Sequence, residues 1–153
     1  MVLITLTGLV AASVSDKTDL EGDQSSATIT LQPEDDSERA TPILILGDPD
    51  ISVSGRTIDF YAKTYSFPSV TLPTVQATAE LYYKPTSSGS ESFKISASKT
   101  GTYVKSIKAS GFYVATQSGY YRVVGHHRIV SPAGYTPAEV ELVSHTDWTY
   151  VSV

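Results

Sequence analysis

Residues 75–84 read VQATAELYYK, and the fold class turns on them. The stretch continues a strand pattern, yet Ala77, Ala79, Glu80 and Leu81 favour a helix, which makes it the chain's one candidate for a short helix. Everything around it reads as strand. Downstream, 92–98, 102–109 and 111–116 are strand-like, with turns expected at Lys99-Thr100-Gly101 and Ser110-Gly111. Segments 120–130, 138–144 and 147–153 follow, the first two separated by Ser131-Pro132-Ala133-Gly134.

Upstream, Ala27-Thr28-Ile29-Thr30-Leu31 alternates between apolar and polar, the period of a half-buried strand. Ile43-Leu44-Ile45-Leu46 is apolar on both sides, which predicts burial on both faces, and Gly47-Asp48-Pro49-Asp50 reads as the turn that stops it. Ile51-Ser52-Val53 and the segment 57–62 flank Ser54-Gly55 as a hairpin. Pro68 and Pro73 mark 63–74 as an edge or connector. About ten short strands, with turn signals every eight to twelve residues, predict an all-β Ig-like or Greek-key sandwich or barrel with at most one short helix. The expected organisation is a single domain over 1–153, with a weak subdivision near 85–91 where the loop Pro85-Thr86-Ser87-Ser88-Gly89-Ser90 falls.

The opening residues 1–15, MVLITLTGLVAASVS, pose a separate question. A secretory signal needs a positive n-region, and the first base is Lys17. With a period of two, Val2, Ile4, Leu6, Val10 and Val14 share one face, and Leu3 and Leu9 are apolar exceptions on the other, more polar face. The stretch is expected to be a strand, with Leu3 and Leu9 turned towards a neighbour.

The chain has 153 residues and no cysteine, so neither disulfides nor thiolates enter its chemistry. The net charge of −5 is unevenly placed: residues 1–59 carry eleven acids against three bases, and the remainder carries five against eight. Such a split suits head-to-tail packing between copies. The bases of the second half are scattered, so no nucleic-acid partner is expected. No apolar run approaches the length of a membrane helix, so no membrane partner is expected either.

Catalytic and metal-binding patterns are weak. His126 and His127 are adjacent and point to opposite faces of a strand, and the histidines are expected at the surface or at strand ends. His145 and Asp147 would share a face if extended, but no G-x-S-x-G elbow accompanies them. The acids Asp16, Asp19, Glu21 and Asp23 and the run Glu34-Asp35-Asp36 match no calcium-loop spacing and read as solvated loops. No catalytic residue, metal site or cofactor is expected.

The aromatics say more. Tyr82-Tyr83, Phe112-Tyr113 and Tyr120-Tyr121 are adjacent pairs in strands, so one ring of each pair faces outward or into a partner. Together with Trp148, Leu3 and Leu9 they form the candidate interface. Rings of this kind serve protein interfaces and sugar-stacking surfaces alike.

Ile4-Thr5-Leu6-Thr7-Gly8, followed by an acidic glycine-containing turn and by Ala27-Thr28-Ile29-Thr30-Leu31-Gln32-Pro33, resembles the opening hairpin of small Ig-like or prealbumin-like domains in structural proteins of tailed bacteriophages. The resemblance implies a virion structural protein, such as a capsid decoration protein or a tail or neck accessory. Its partners would be other copies of itself and other virion proteins, joined in part by strand addition across subunits, and its localisation would be the virion. The alternative expectation is a carbohydrate- or receptor-binding β-sandwich.

Overall fold

The structure, a computed structural model, describes residues 26–34 and 41–153. Those residues form ten strands and no helix: β1 (Ala27–Pro33), β2 (Ile43–Ser54), β3 (Thr57–Phe67), β4 (Leu72–Lys84), β5 (Ser92–Val104), β6 (Ser106–Val114), β7 (Gly119–Val130), β8 (Tyr135–Thr136), β9 (Glu139–His145) and β10 (Thr149–Val151). The first sheet runs β6-β3-β2-β1-β8 and the second β10-β7-β4-β5, with β9 also paired to β7. β3 and β6 pair with each other around the β4–β5 hairpin, so the chain crosses between sheets on both sides of that hairpin.

The alternation of side chains builds the two layers. In β3 the residues Ile58, Phe60, Ala62, Thr64 and Ser66 turn inward, and in β4 Val75, Ala77, Ala79, Leu81 and Tyr83 do the same. β7 contributes Tyr121, Val123, His127 and Ile129. The inner faces meet as an apolar layer, the packing of a β-sandwich. Burying each large aliphatic side chain contributes about 1.5–3 kcal/mol.

The candidate helix at 75–84 is a strand in the middle of the second sheet, paired with β5 on one side and β7 on the other. Tertiary pairing overrides the helix preference of its alanines. The small side chains have a packing role there, since Ala77 stands directly opposite His127 and leaves room for the ring.

The turn expected at residues 47–50 is also absent. β2 continues through it, with Gly47 opposite Thr64 and Pro49 opposite Ala62, and inward and outward burial alternates without a break. Proline's fixed φ is compatible with an extended chain. Gly47 is small for another reason: a Cβ there would lie inside the His127 ring's contact surface. Ile43 and Ile45 are buried, whereas Leu44 and Leu46 are half-buried, so the strand is covered on one face only.

Lys99–Gly101 and Ser110-Gly111 likewise lie inside β5 and β6 rather than at turns. A Cβ on Gly111 would lie 2.7 Å from Phe60 Cζ. The hairpin at Ser54-Gly55 is as expected, with Gly55 at φ 59° between β2 and β3. Pro68 ends β3, but Pro73 sits within β4. The segment 85–91 joins β4 to β5. Residues 1–25, which include Leu3, Leu9 and the acids from Asp16 to Asp23, lie outside the described residues, as do Asp35 and Asp36.

β5 is the outer strand of the second sheet among the described residues. Directly opposed residues share a sheet face. Lys99, opposite the buried Ala77, therefore points to the inner side of the sheet from an exposed edge.

Gly47→Ala should destabilise the protein by about 1–3 kcal/mol through overpacking against His127. In a His127→Ala background the same change should cost clearly less, a coupling that a double-mutant cycle of urea denaturation midpoints will measure.

Candidate functional site

The outward positions of the second sheet bring its aromatics to one end. Lys84 stands opposite Tyr120 and Tyr82 opposite Arg122 across β4 and β7. Tyr150 of β10 stands opposite Tyr120, and Phe93 of β5 opposite Tyr82. The Tyr120 and Tyr150 rings lie 5.2 Å apart at 65°, and those of Tyr82 and Phe93 5.9 Å apart at 73°. Both pairs are edge-to-face, the arrangement the ring quadrupole favours.

Trp148, in the connection before β10, completes this end. Lys84 Nζ sits over its ring at 4.3 Å and the Arg122 guanidinium at 4.7 Å. Cation–π attraction of this kind is worth about 0.5–2 kcal/mol, more as the pair loses water. One terminal nitrogen of Arg122 donates to both carboxylate oxygens of Glu91 at 2.9 Å. The Tyr82 hydroxyl donates to Glu80 Oε2 at 2.8 Å, which, with burial, raises the phenol's pKa above its ordinary value. The same carboxylate oxygen lies 3.4 Å from His126 Nε2.

Further along the same face Gln76, Thr78, His126, Arg128, Glu141 and Val143 line a shallow groove of about 210 Å³. Arg128 is already ion-paired with Glu139 and lies 3.8 Å from Glu141. On the first sheet a wider concavity of about 440 Å³ is lined by Asp50, Ser52, Asp59, Tyr61, Lys108 and Phe112, among others. Lys108 Nζ lies 3.7 Å from the Tyr61 ring centre.

The structure sorts the expected interface residues by parity. Tyr82, Tyr120 and Trp148 gather on the outer face of the second sheet. Phe112 is 67% exposed but lies on the opposite face of the molecule, in the first sheet. Tyr83 and Tyr121 are buried, and with Tyr113 they form a ring cluster inside the sandwich, at 5.0 Å and 6.1 Å from Tyr121. Neither Tyr83 nor Tyr121 is available to a partner. Their hydroxyls donate to the Ser118 and Gln117 carbonyls, and burial pushes the Tyr121 phenol up to about 12. Lys84, Arg122, Phe93 and Tyr150 complete the face and were not singled out from the sequence. Their membership depends on strand register, of which the spacing of Trp148 and Tyr150, both flanking Thr149, is the one local hint.

His127 is the second correction to the expected site chemistry. It is not at the surface but buried between the sheets. Its Nδ1 lies 2.8 Å from Thr64 Oγ1 of β3, and its Nε2 2.7 Å from Ser144 Oγ of β9. Thr64 donates its own proton to the Gln76 carbonyl at 3.3 Å. Its oxygen therefore accepts from Nδ1–H, which leaves Nε2 to accept from Ser144. This is the neutral imidazole with every polar atom satisfied. A serine beside a histidine invites comparison with a nucleophile and its base, but Ser144 is fully buried, so no substrate atom reaches it. Among the described residues no hydrogen bond or ion pair joins His145 to Asp147, and no group of three His, Asp or Glu side chains is placed to hold a metal.

No protein-family model, curated protein or solved structure matches the chain. The site is therefore read from its own geometry.

Burial, reinforced by the neighbouring His126, lowers the His127 pKa from 6.5 to about 4. As pH falls the unfolded chain takes up the proton first. The stabilisation from neutral His127 is complete above about pH 6.5, declines below it, and is gone below about pH 4. The loss should amount to roughly 3 kcal/mol, at about 1.4 kcal/mol per unit. Urea denaturation across this window should show that slope in the native chain, and a flatter profile in His127→Gln.

Proposed function

We propose that the chain is a non-catalytic structural protein of an assembled particle of the virion kind, which works by docking other copies of itself and other particle proteins. The docking surface is the aromatic end of the second sheet's outer face. The single observation that carries this reading is the disposition of the rings there. Tyrosine, tryptophan and arginine, packed edge to face and surrounded by charge, are the composition of a protein-interface hot spot. The Phe93 and Tyr150 rings remain 53% and 57% exposed at its margin.

The same geometry weighs against a sugar platform at this place. Stacking a saccharide needs flat ring faces, and here the rings stand at 65° and 73° to one another while Trp148 is taken by Lys84 and Arg122. A saccharide-binding reading keeps one observation in its favour. Phe112 presents an open ring beside Asp50, Asp59, Ser52 and Ser110 in the first-sheet concavity. The cysteine-free, all-β character of the chain and its resemblance to phage structural domains support the virion setting.

Sedimentation velocity from micromolar to near-millimolar concentration should reveal self-association. Tyr150→Ala and Tyr82→Ala should each weaken it about tenfold or more. Phe67→Ala, at a 70% exposed ring on the first sheet, should leave it unchanged. A chain that stays monomeric throughout, or that is indifferent to all three changes, would refute self-docking through this face.

A further inference from the structure

The outer face of the first sheet holds a depression whose shape follows from strand register. β2, β3 and β6 lie side by side there, and their outward residues fall in two rows across the strands, Asp50–Tyr61–Ser110 and Ser52–Asp59–Phe112. With Lys108 these residues line the concavity of about 440 Å³. The first row is largely knit together. Lys108 Nζ lies 3.7 Å from the Tyr61 ring centre. Burial, then the charges of Asp50 and Asp48, raise the Tyr61 phenol above its ordinary pKa, and its hydroxyl bonds to Asp50.

The second row is open. Ser52, Asp59 and Phe112 are exposed, as is Ser110. Among the described residues, no hydrogen bond, ion pair or ring contact engages these four side chains. Phe112 has Asp59 across the ladder and Ser110 two residues back. Both are small, and the ring stays 67% exposed.

We infer that this concavity binds a neutral saccharide, with a C–H face of the sugar on Phe112 and its hydroxyls on Asp59, Asp50, Ser52 and Ser110. The site lies on the face opposite the docking end and does not rest on the assembly reading. The inventory of groups selects the ligand. Carboxylates only accept hydrogen bonds, Lys108 only donates, and serine hydroxyls do both. A polyol satisfies all three kinds at once, and its apolar C–H face suits an aromatic ring. An anionic ligand would meet Asp50 and Asp59 with like charge. An apolar segment would bury those carboxylates without partners. Unlike the rings of the second sheet, Phe112 has no ring standing edge-on to it. From Lys108 to Phe112 the depression follows four steps of β6, on the order of 13 Å. That length exceeds one sugar ring, so oligosaccharides should bind more tightly than monosaccharides.

Nitrogen-15 NMR of the full chain, titrated with maltotriose, cellotriose and tri-N-acetylchitotriose, tests the site. At least one of these should move the amides of Ser52, Asp59, Ser110 and Phe112 saturably. Glucose should act more weakly, and trigalacturonate should leave these amides unmoved. Phe112→Ala should weaken binding about tenfold, and Phe112→Tyr, which keeps the ring, should retain it. Asp59→Asn should weaken the neutral sugar and relax the discrimination against trigalacturonate. Tyr150→Ala, on the docking face, should bind as the native chain does. The native titration stands by itself if a variant fails to fold. No movement of these amides with any of the three neutral sugars overturns the inference, as does an equal response to trigalacturonate. It also falls if a capped Arg-Gly-Arg peptide moves the same amides and the sugars do not, which makes the occupant a basic protein segment. Loss of self-association in Phe112→Ala, without any sugar response, makes this face a contact between copies and overturns it too.

Discussion

The imidazole of His127 is the constraint around which the sandwich is arranged. With the Thr64–Gln76 bond beside it, it is a polar link between the layers, reaching Thr64 in the first sheet from its own place in the second, and Ser144 beside it. Its ring occupies space that Gly47 vacates, and it needs the small Ala77 beside it and Gly125 two residues earlier on its own strand. A one-residue slip of β7 would carry the ring to the surface and bring His126 inside. The ring's demand for two hydroxyl partners and three small neighbours therefore fixes the register of β2, β3, β4, β7 and β9 together. Most core contacts are apolar and tolerant of small displacement, whereas this one is directional. A half-satisfied polar group in a dry interior is worse than none, so the five strands either meet in this register or lose more than one contact.

Fixing β7 also fixes the outer face. Once odd residues of β7 point inward, Tyr120 and Arg122 must point outward, opposite Lys84 and Tyr82. The buried imidazole and the aromatic outer face are thus consequences of a single alignment, read on opposite sides of the same sheet. That alignment explains why Tyr83 and Tyr121 meet inside while Tyr82 and Tyr120 lie half-buried on the outer face.

Much of the architecture was legible in the residues. The period of two in 27–31, the hairpin at Ser54-Gly55, the spacing of turn signals and the rarity of helix signals suffice for an all-β chain of about ten strands. The errors share one cause. Gly47, Gly101 and Gly111 were expected at turns because glycine there allows unusual backbone angles, yet each is a place where a ring or branched side chain from elsewhere in the fold presses close. Ala77 and Ala79 pointed to a helix for a similar reason, being small for the sake of a neighbour. Smallness demanded by a distant side chain looks locally the same as smallness demanded by the backbone. The aromatic face was half legible. Parity within each pair follows from alternation, but which member points inward, and that Lys84 and Arg122 flank Trp148, depend on pairings between strands far apart in sequence.

Lys99 sets a limit on how copies of the chain can meet. A second sheet zipped onto β5 would continue the hydrogen-bond ladder, but it would also close over the inner side of the edge, towards which the Lys99 stem points. The ammonium would then lose its water with no counter-charge, the device by which exposed edges resist fibrillation. Strand addition at this edge is therefore disfavoured. Wherever the chain is crowded, as in the cell that makes it, that one charge separates a folded molecule that stays separable from a strand-by-strand deposit that does not come apart.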